Sequence, residues 1–269
     1  MGNAGVTIKK TYMDCYHPEG GVMIGYLATL RWKGLSLPYT SLLLLPVTGR
    51  PVRHSRFRKP AGLQQAGDSI GWDDPGFGIK ATWVPTAPPI SATLFGNEAG
   101  RIYWKCEVPR ADASFVMKEG AGFRGQGYVE ELIMEVPPWK IAMDALYWGR
   151  YHAVDTHVVW IKFGEPEGRT WVFVNGVQMD EGEVSDDVIM LGDGMRLYFG
   201  ERRILEDGNG IHEAALKINK YLPGFKNLVP SFFLNSRECK WCARGAIYKN
   251  NSVLEEGDVV FEKVQFGDF

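Results

Sequence analysis

Short runs of β-branched and aromatic residues, each set off by Gly or Pro, recur along almost the whole of this 269-residue chain. They restrict it to a β-rich fold more strongly than any other feature. The runs are Val22–Trp32, Tyr39–Val47, Arg101–Val108, His157–Phe163, Thr170–Asn175, Met195–Phe199, Ala246–Tyr248 and Asp258–Val264. Asn175-Gly176 and Asp207-Gly208 supply turn dipeptides. No strand–helix–strand alternation accompanies them, which argues against a doubly wound parallel sheet. One segment reads differently: Ile211, Ala214, Ala215, Ile218 and Leu222 keep helical spacing, with Asn209 as a candidate N-cap and Pro223-Gly224 as the stop. The expected class is mostly antiparallel β, barrel or sandwich, with one late helix. The length suits two β units side by side, although no sequence repeat is visible. The Gly-rich stretch 112–127 is the candidate boundary, dividing residues 1–118 from 119–269. Trp83–Pro89, with three Pro, reads as a loop within the first half.

No stretch approaches the ~20 apolar residues of a membrane-spanning helix, since the longest apolar run is Leu42–Val47. No signal-peptide or myristoylation pattern is present at the start, so the expected location is cytoplasmic. Four Cys fit reduced thiols better than a disulfide framework. Cys239-Lys-Trp-Cys242 lacks further ligands nearby in sequence for zinc and the setting of a redox motif, so it reads as two structural thiols. The five His show no ligand spacing, and no phosphate-binding or nucleophile-elbow motif stands in its proper context. Neither a metal nor another cofactor is therefore expected. The net charge of -2 hides an asymmetry, because residues 1–60 hold nine Lys/Arg against two acids. The basic run 50–59 would suit an anionic ligand, a lipid surface in peripheral contact or an RNA backbone, or simply form a solvated hairpin or loop. Nothing marks a nucleic-acid-binding module, and the oligomeric state is not legible.

Chemistry concentrates between Gly125 and His152, where three Glu, one Asp, one Arg, one His and five Trp/Tyr fall within 28 residues. If 127–134 is a strand, Tyr128, Glu130 and Leu132 share a face and Glu131 points the other way. A Glu130 turned inward among apolar neighbours would have its proton affinity raised by desolvation and suit acid catalysis. A Glu130 turned outward would be solvated or paired with Arg150. Tyr128, Trp139, Tyr147, Trp148 and Tyr151 are core or wall aromatics whose π faces can also stabilise a cation. His152 is a candidate pocket residue. Arg150 is a candidate bidentate partner for a carboxylate.

Gly125-Gln-Gly-Tyr-Val-Glu130 and Trp148-Gly-Arg150 resemble the Gly-x-Gly-Tyr-x-Asp and Trp-Gly-Arg elements of the carotenoid 1,2-hydratase (hydroxyneurosporene synthase-like) family. Glu130 stands where that family has Asp, and Val129 and Glu131 stand where it often has His. The resemblance implies paired lipocalin-type antiparallel β barrels, and relatives that include hydratases, terpenoid or tocopherol cyclases and Diels–Alderases. It implies a cyclase or hydratase (isomerase or lyase type, pericyclase-like included) acting on an apolar isoprenoid or polyene. Glu130 would be the acid, supported by Arg150 and Asp144. Tyr128, Trp139, Tyr147, Trp148, Tyr151 and His152 would line the substrate. The alternative is a non-catalytic lipocalin-like carrier of an apolar small molecule.

Overall fold

The computed structural model describes residues 5–58, 61–208 and 210–267. The proposed N-cap Asn209, and Lys59 of the basic run, lie outside the described residues. The chain forms two compact units, Met1–Pro138 and Trp139–Phe269. Strands make up 62% of the described residues, in two antiparallel sheets, one of them curled into a half-barrel.

The first unit contains β1 (Thr7–Tyr16), β2 (Val22–Trp32), β3 (Leu35–Leu45), β4 (Val52–Arg56), β5 (Gln64–Ala66), β6 (Ser69–Asp74), β7 (Ile79–Pro85), β8 (Ile90–Asn97), β9 (Gly100–Met117) and β10 (Gly122–Met134). Their order is β4-β3-β2-β1-β10-β9-β7-β6-β5, with β8 also on β9. The second unit contains β11 (Ala145–His152), β12 (His157–Phe163), β13 (Thr170–Val174), β14 (Val177–Gln178), β15 (Glu183–Val184), β16 (Val188–Met190), β17 (Met195–Gly208), β18 (Arg237–Lys249) and β19 (Ser252–Gln265). Its order is β14-β13-β12-β11-β19-β18-β17-β16-β15. The wiring is the same twice. Four strands form a meander, and the first of them pairs with the last strand of a second meander. Set beside the first sheet, the second lacks only a counterpart of β8. The shared wiring is not readable as a sequence repeat, because one fold accepts many apolar patterns.

The helix is α1 (Gly210–Tyr221), which stops before Pro223-Gly224 as its spacing predicts. A short α2 (Ser231–Leu234) follows before β18. Among the described residues no helix is long and apolar enough to cross a membrane.

The expected boundary at 118/119 is corrected. It falls in the turn of the β9–β10 hairpin, where the Met117 N–H donates to Ala121 O and the Gly120 N–H to Met117 O. β10 then pairs on both sides within the first unit, Phe123 opposite Phe115 on β9 and Glu131 opposite Thr11 on β1. The glycines that suggested a linker serve close approach. A Cβ on Gly125 would lie 1.8 Å from Tyr16 O, and one on Gly127 would lie 2.5 Å from the Trp83 ring. Only hydrogen fits at either place.

Each unit has an apolar cluster on one sheet face. In the first it gathers Met13, Leu42, Trp72, Trp83, Val108 and Val129. In the second it gathers Tyr151, Val158, Trp160, Leu197, Val259 and Phe261. The opposite face of the first sheet is buried as well, through Ile24, Tyr26, Leu43, Trp104 and Tyr128. Burial on both faces explains why β2 opens with an unbroken buried run from Val22 to Leu27 instead of alternating.

A buried carboxyl among tyrosines

Glu130 lies in the middle of β10, opposite Tyr12 on β1 and Cys106 on β9. The β9–β10 ladder shifts register around Tyr128 and Val129. Pro109 stands in β9 at this place and has no N–H to give, which suits a bulge. Tyr128 and Glu130, two apart, project from one face, and Val129 joins the apolar cluster on the other.

The Glu130 side chain is only 4% exposed. Its Oε2 accepts two hydrogen bonds, one from Tyr128 O–H and one from Trp104 Nε1–H, each at 2.6 Å. Both donors are buried. Tyr12 packs edge-on against Tyr128 (5.9 Å) and against Tyr26 (5.2 Å), and its hydroxyl donates to Oδ2 of buried Asp14 at 2.8 Å. Burial pushes the Tyr128 hydroxyl well above the usual phenol range, with Cys106 and Glu130 adding to the effect. Burial first, and then Glu130, likewise raises the Cys106 thiol. Tyr128 is therefore a neutral donor and Cys106 a neutral thiol at physiological pH.

The other expected residues, apart from Tyr128, belong to the second unit. Arg150 and His152 stand together on one face of β11, both buried, with Arg150 Nη1 3.2 Å from His152 Nδ1. Arg offers only donors, so His152 Nδ1 accepts. Opposite His152 is Asp258, bonded by Arg244 Nη1 at 2.5 Å. Burial raises the Asp258 carboxyl against the opposing pull of Arg244 and Arg150. Trp148 shares this strand face by alternation and is half-buried.

Four more of the expected residues have surroundings of their own within the second unit. Tyr147 and Tyr151 point to the opposite face of β11, into the second unit's own apolar cluster. There Tyr151 O–H donates to Glu255 O at 3.3 Å, and Tyr147 lies between Lys162 and Lys263. The strand period of two separates them from Arg150 and His152. Trp139 packs edge-on against Phe225 and Phe233 of the segment that carries the helices. Asp144 is exposed just before β11, its backbone N–H bonded to Glu165 O and its carbonyl to the Phe266 N–H. It lies about 20 Å along the strand from Arg150.

Sequence reasoning passed over Trp104, Tyr12 and Cys106. The alternation Ile102-Trp104-Cys106 marks one strand face, but only the β9–β10 register brings it to Glu130. Cys239 and Cys242, three apart on β18, face opposite ways. Cys239 Sγ lies 3.2 Å from Asp207 Oδ1, and Cys242 is buried. A cleft of about 440 Å³ opens in the first unit beside Lys9, Thr11, Val129 and Glu131. Those strand neighbours of Glu130 lie on the face opposite its carboxyl.

No protein-family model and no curated protein matches the sequence. Solved structures do match the fold. An AttH-type protein from Nitrosomonas europaea superposes with a TM-score of 0.56 at 8% identity, over 98% of this chain and 93% of that one. Kievitone hydratase from Nectria haematococca gives 0.55 at 9% identity, over 97% and 89%. CghA bound to Sch210972 gives 0.57 at 9% identity, over 99% and 90%. The protein thus has, over nearly its whole length, the β fold found in a hydratase and in a protein crystallised with a small organic molecule.

Proposed function

We propose that the protein is a hydratase or cyclase of apolar polyenes or isoprenoids, with Glu130 as the proton donor. The observation that carries this reading is the pair of 2.6 Å hydrogen bonds to one oxygen of a buried carboxyl. Burial favours the neutral acid, while the Tyr128 and Trp104 donors favour the carboxylate. A carboxyl held between these effects is suited to giving up a proton. In the step proposed, the carboxyl O–H bond breaks while a C–H bond forms at an alkene carbon from the π electrons, or an O–H bond forms at an epoxide oxygen as one of its C–O bonds opens. The two donors stabilise the carboxylate as it develops. The electron-rich faces of Tyr12 and Tyr128 favour the cation left on the substrate. Capture by water and loss of a proton to Glu130 completes hydration. Capture by an internal alkene, followed by the same proton loss, completes cyclisation. The fold shared with a hydratase supports this class of chemistry without choosing the substrate.

The test incubates the full chain with a panel of linear isoprenoids and their epoxides and follows products by mass spectrometry. Hydration adds the mass of one water, and cyclisation gives an isomer. Glu130→Gln keeps the shape and removes the acid, so product formation should fall by about 10²–10⁴-fold. Undiminished turnover in a folded Glu130→Gln protein would sink the assignment.

A further inference from the structure

Between β17 and β18 the second unit carries α1, a short helical turn over Phe225–Leu228, and α2. The inward side chains anchor this segment. Phe225 and Phe233 both meet the Trp139 ring edge-on, and Phe233 also stacks on Phe266 at 5.2 Å. Asn219 Oδ1 accepts the Lys226 N–H, which ties α1 to the turn that follows. The Phe232 carbonyl accepts the Gly267 N–H. In α1 the less exposed side holds Ile211, Ala214, Ala215 and Ile218, as helical spacing requires.

The outward side is not simply polar. Leu216 and Tyr221 on α1, Leu228 at the end of the turn and Phe232 on α2 are between 37% and 59% exposed. Each stands next to a residue that is buried: Ala215, Leu222, Val229 and Phe233. The segment thus carries more apolar side chain than its inner side takes up. Single exposed apolar residues need no explanation, but four between positions 216 and 232 do. Exposed lysines stand among them, Lys217 and Lys220 on α1 and Lys226 in the turn. Residues 210–234 hold these three Lys against one acid, Glu213, in a chain whose net charge is -2. The segment is therefore opposite in sign to the chain that carries it.

We propose that the helical segment 210–234 is a docking surface for an anionic lipid bilayer. Leu216, Tyr221, Leu228 and Phe232 enter the headgroup layer, and the three lysines pair with acidic headgroups. The charge selects this occupant. A second copy bound across a twofold axis would set lysines against lysines. An acidic bilayer offers negative charge above an apolar interior. Lysine stems run along apolar surface and return the ammonium to the headgroups, and a tyrosine ring suits the interface. With 12 residues, α1 is far short of the ~20 that span a bilayer, so it lies on the surface. The basic run 50–59 suits this role less, because part of its charge is used within the first unit. Arg56 is paired with buried Asp74, and Arg53 donates to Tyr39 Oη and Ser41 Oγ. Docking through the helical segment does not depend on the role of Glu130.

Co-sedimentation of the full-length protein with lipid vesicles tests the proposal, using phosphatidylcholine alone and phosphatidylcholine mixed with phosphatidylserine. The mixed vesicles should bind at least about tenfold more tightly, and added salt should weaken that binding. Lys217→Glu, Lys220→Glu and Lys226→Glu should each weaken it by about fivefold or more. Leu228→Ser combined with Phe232→Ser should weaken it by at least about tenfold. Arg50→Glu, in the basic run, should leave it unchanged. Absent sedimentation, equal binding to the two vesicles, indifference to the serine pair, or loss in Arg50→Glu would each overturn the proposal. A concentration-dependent dimer in sedimentation velocity that the serine pair dissolves would assign the surface to a second copy, and would overturn it too. A thermal melt reports whether each variant folds. If the serine pair does not, the lysine reversals and the vesicle comparison decide.

Discussion

At the scale of the residue, the hydroxyl of Tyr128 controls the balance of the proposed acid. It donates to the same oxygen as Trp104, so Tyr128→Phe removes one of two donors and leaves the ring. Losing a donor to the charged form favours the protonated form. The pH above which activity declines should therefore move upward in Tyr128→Phe, while stability drops by about 1 kcal/mol. A pH–rate profile and a thermal melt read these separately. A purely structural tyrosine would change the melt and leave the profile where it was. The sequence alone allowed Tyr128 and Glu130 a shared face. It did not expose Trp104, 26 positions away, because a hydrogen bond across a ladder depends on register, which no local pattern encodes.

At the scale of the element, β10 decides where the first unit ends. It has a neighbour on each side, β1 and β9, and it carries both Glu130 and the core residue Val129. A fragment ending at residue 118 would leave β1 and β9 with open edges in mid-sheet. Circular dichroism should show a cooperative melt for the 1–138 fragment and none for 1–118. A cooperative melt of 1–118 would restore the earlier boundary. The misplacement has an identifiable cause. Glycine-rich sequence reads as linker, and here the glycines answer to Tyr16, Ala113 and Trp83 pressing on the backbone. By contrast, β2 and β12 begin and end where their sequences say. α1 stops at Pro223-Gly224 for the local reason that proline cannot continue a helix.

At the scale of the whole molecule, buried thiols and phenols make stability fall in alkali. Burial pushes the Cys242 thiol up to about 11 from an ordinary value of 9.0, and it also raises Cys106, Tyr128 and Tyr151. For an acid whose folded value is raised, the folded state keeps its proton longer than the unfolded state. The contribution is complete below the unfolded value and is lost as pH climbs through the folded one. Stability should thus decline from about pH 9 upward, with Cys242 alone accounting for roughly 2–3 kcal/mol by pH 11. Melting temperatures between pH 8 and 11 check this, and Cys242→Ala should flatten the decline. An unchanged slope in that variant would mean that the thiol ionises equally in both states.

The amino-acid order by itself determined the β-rich class, the single longer helix, several strand limits and the crowding of acid and aromatic groups between Gly125 and His152. All of these follow from interactions between residues a few positions apart, where alternation, helical spacing and turn chemistry act. Only the tertiary structure decided that two sheets share one wiring, that Tyr151 belongs to a core and Asp144 to the surface, and that Trp104 and Tyr128 meet on one oxygen of Glu130. Those outcomes depend on which strand lies beside which and in what register. That choice is made by the burial of whole sheet faces, to which every segment contributes and which none specifies alone.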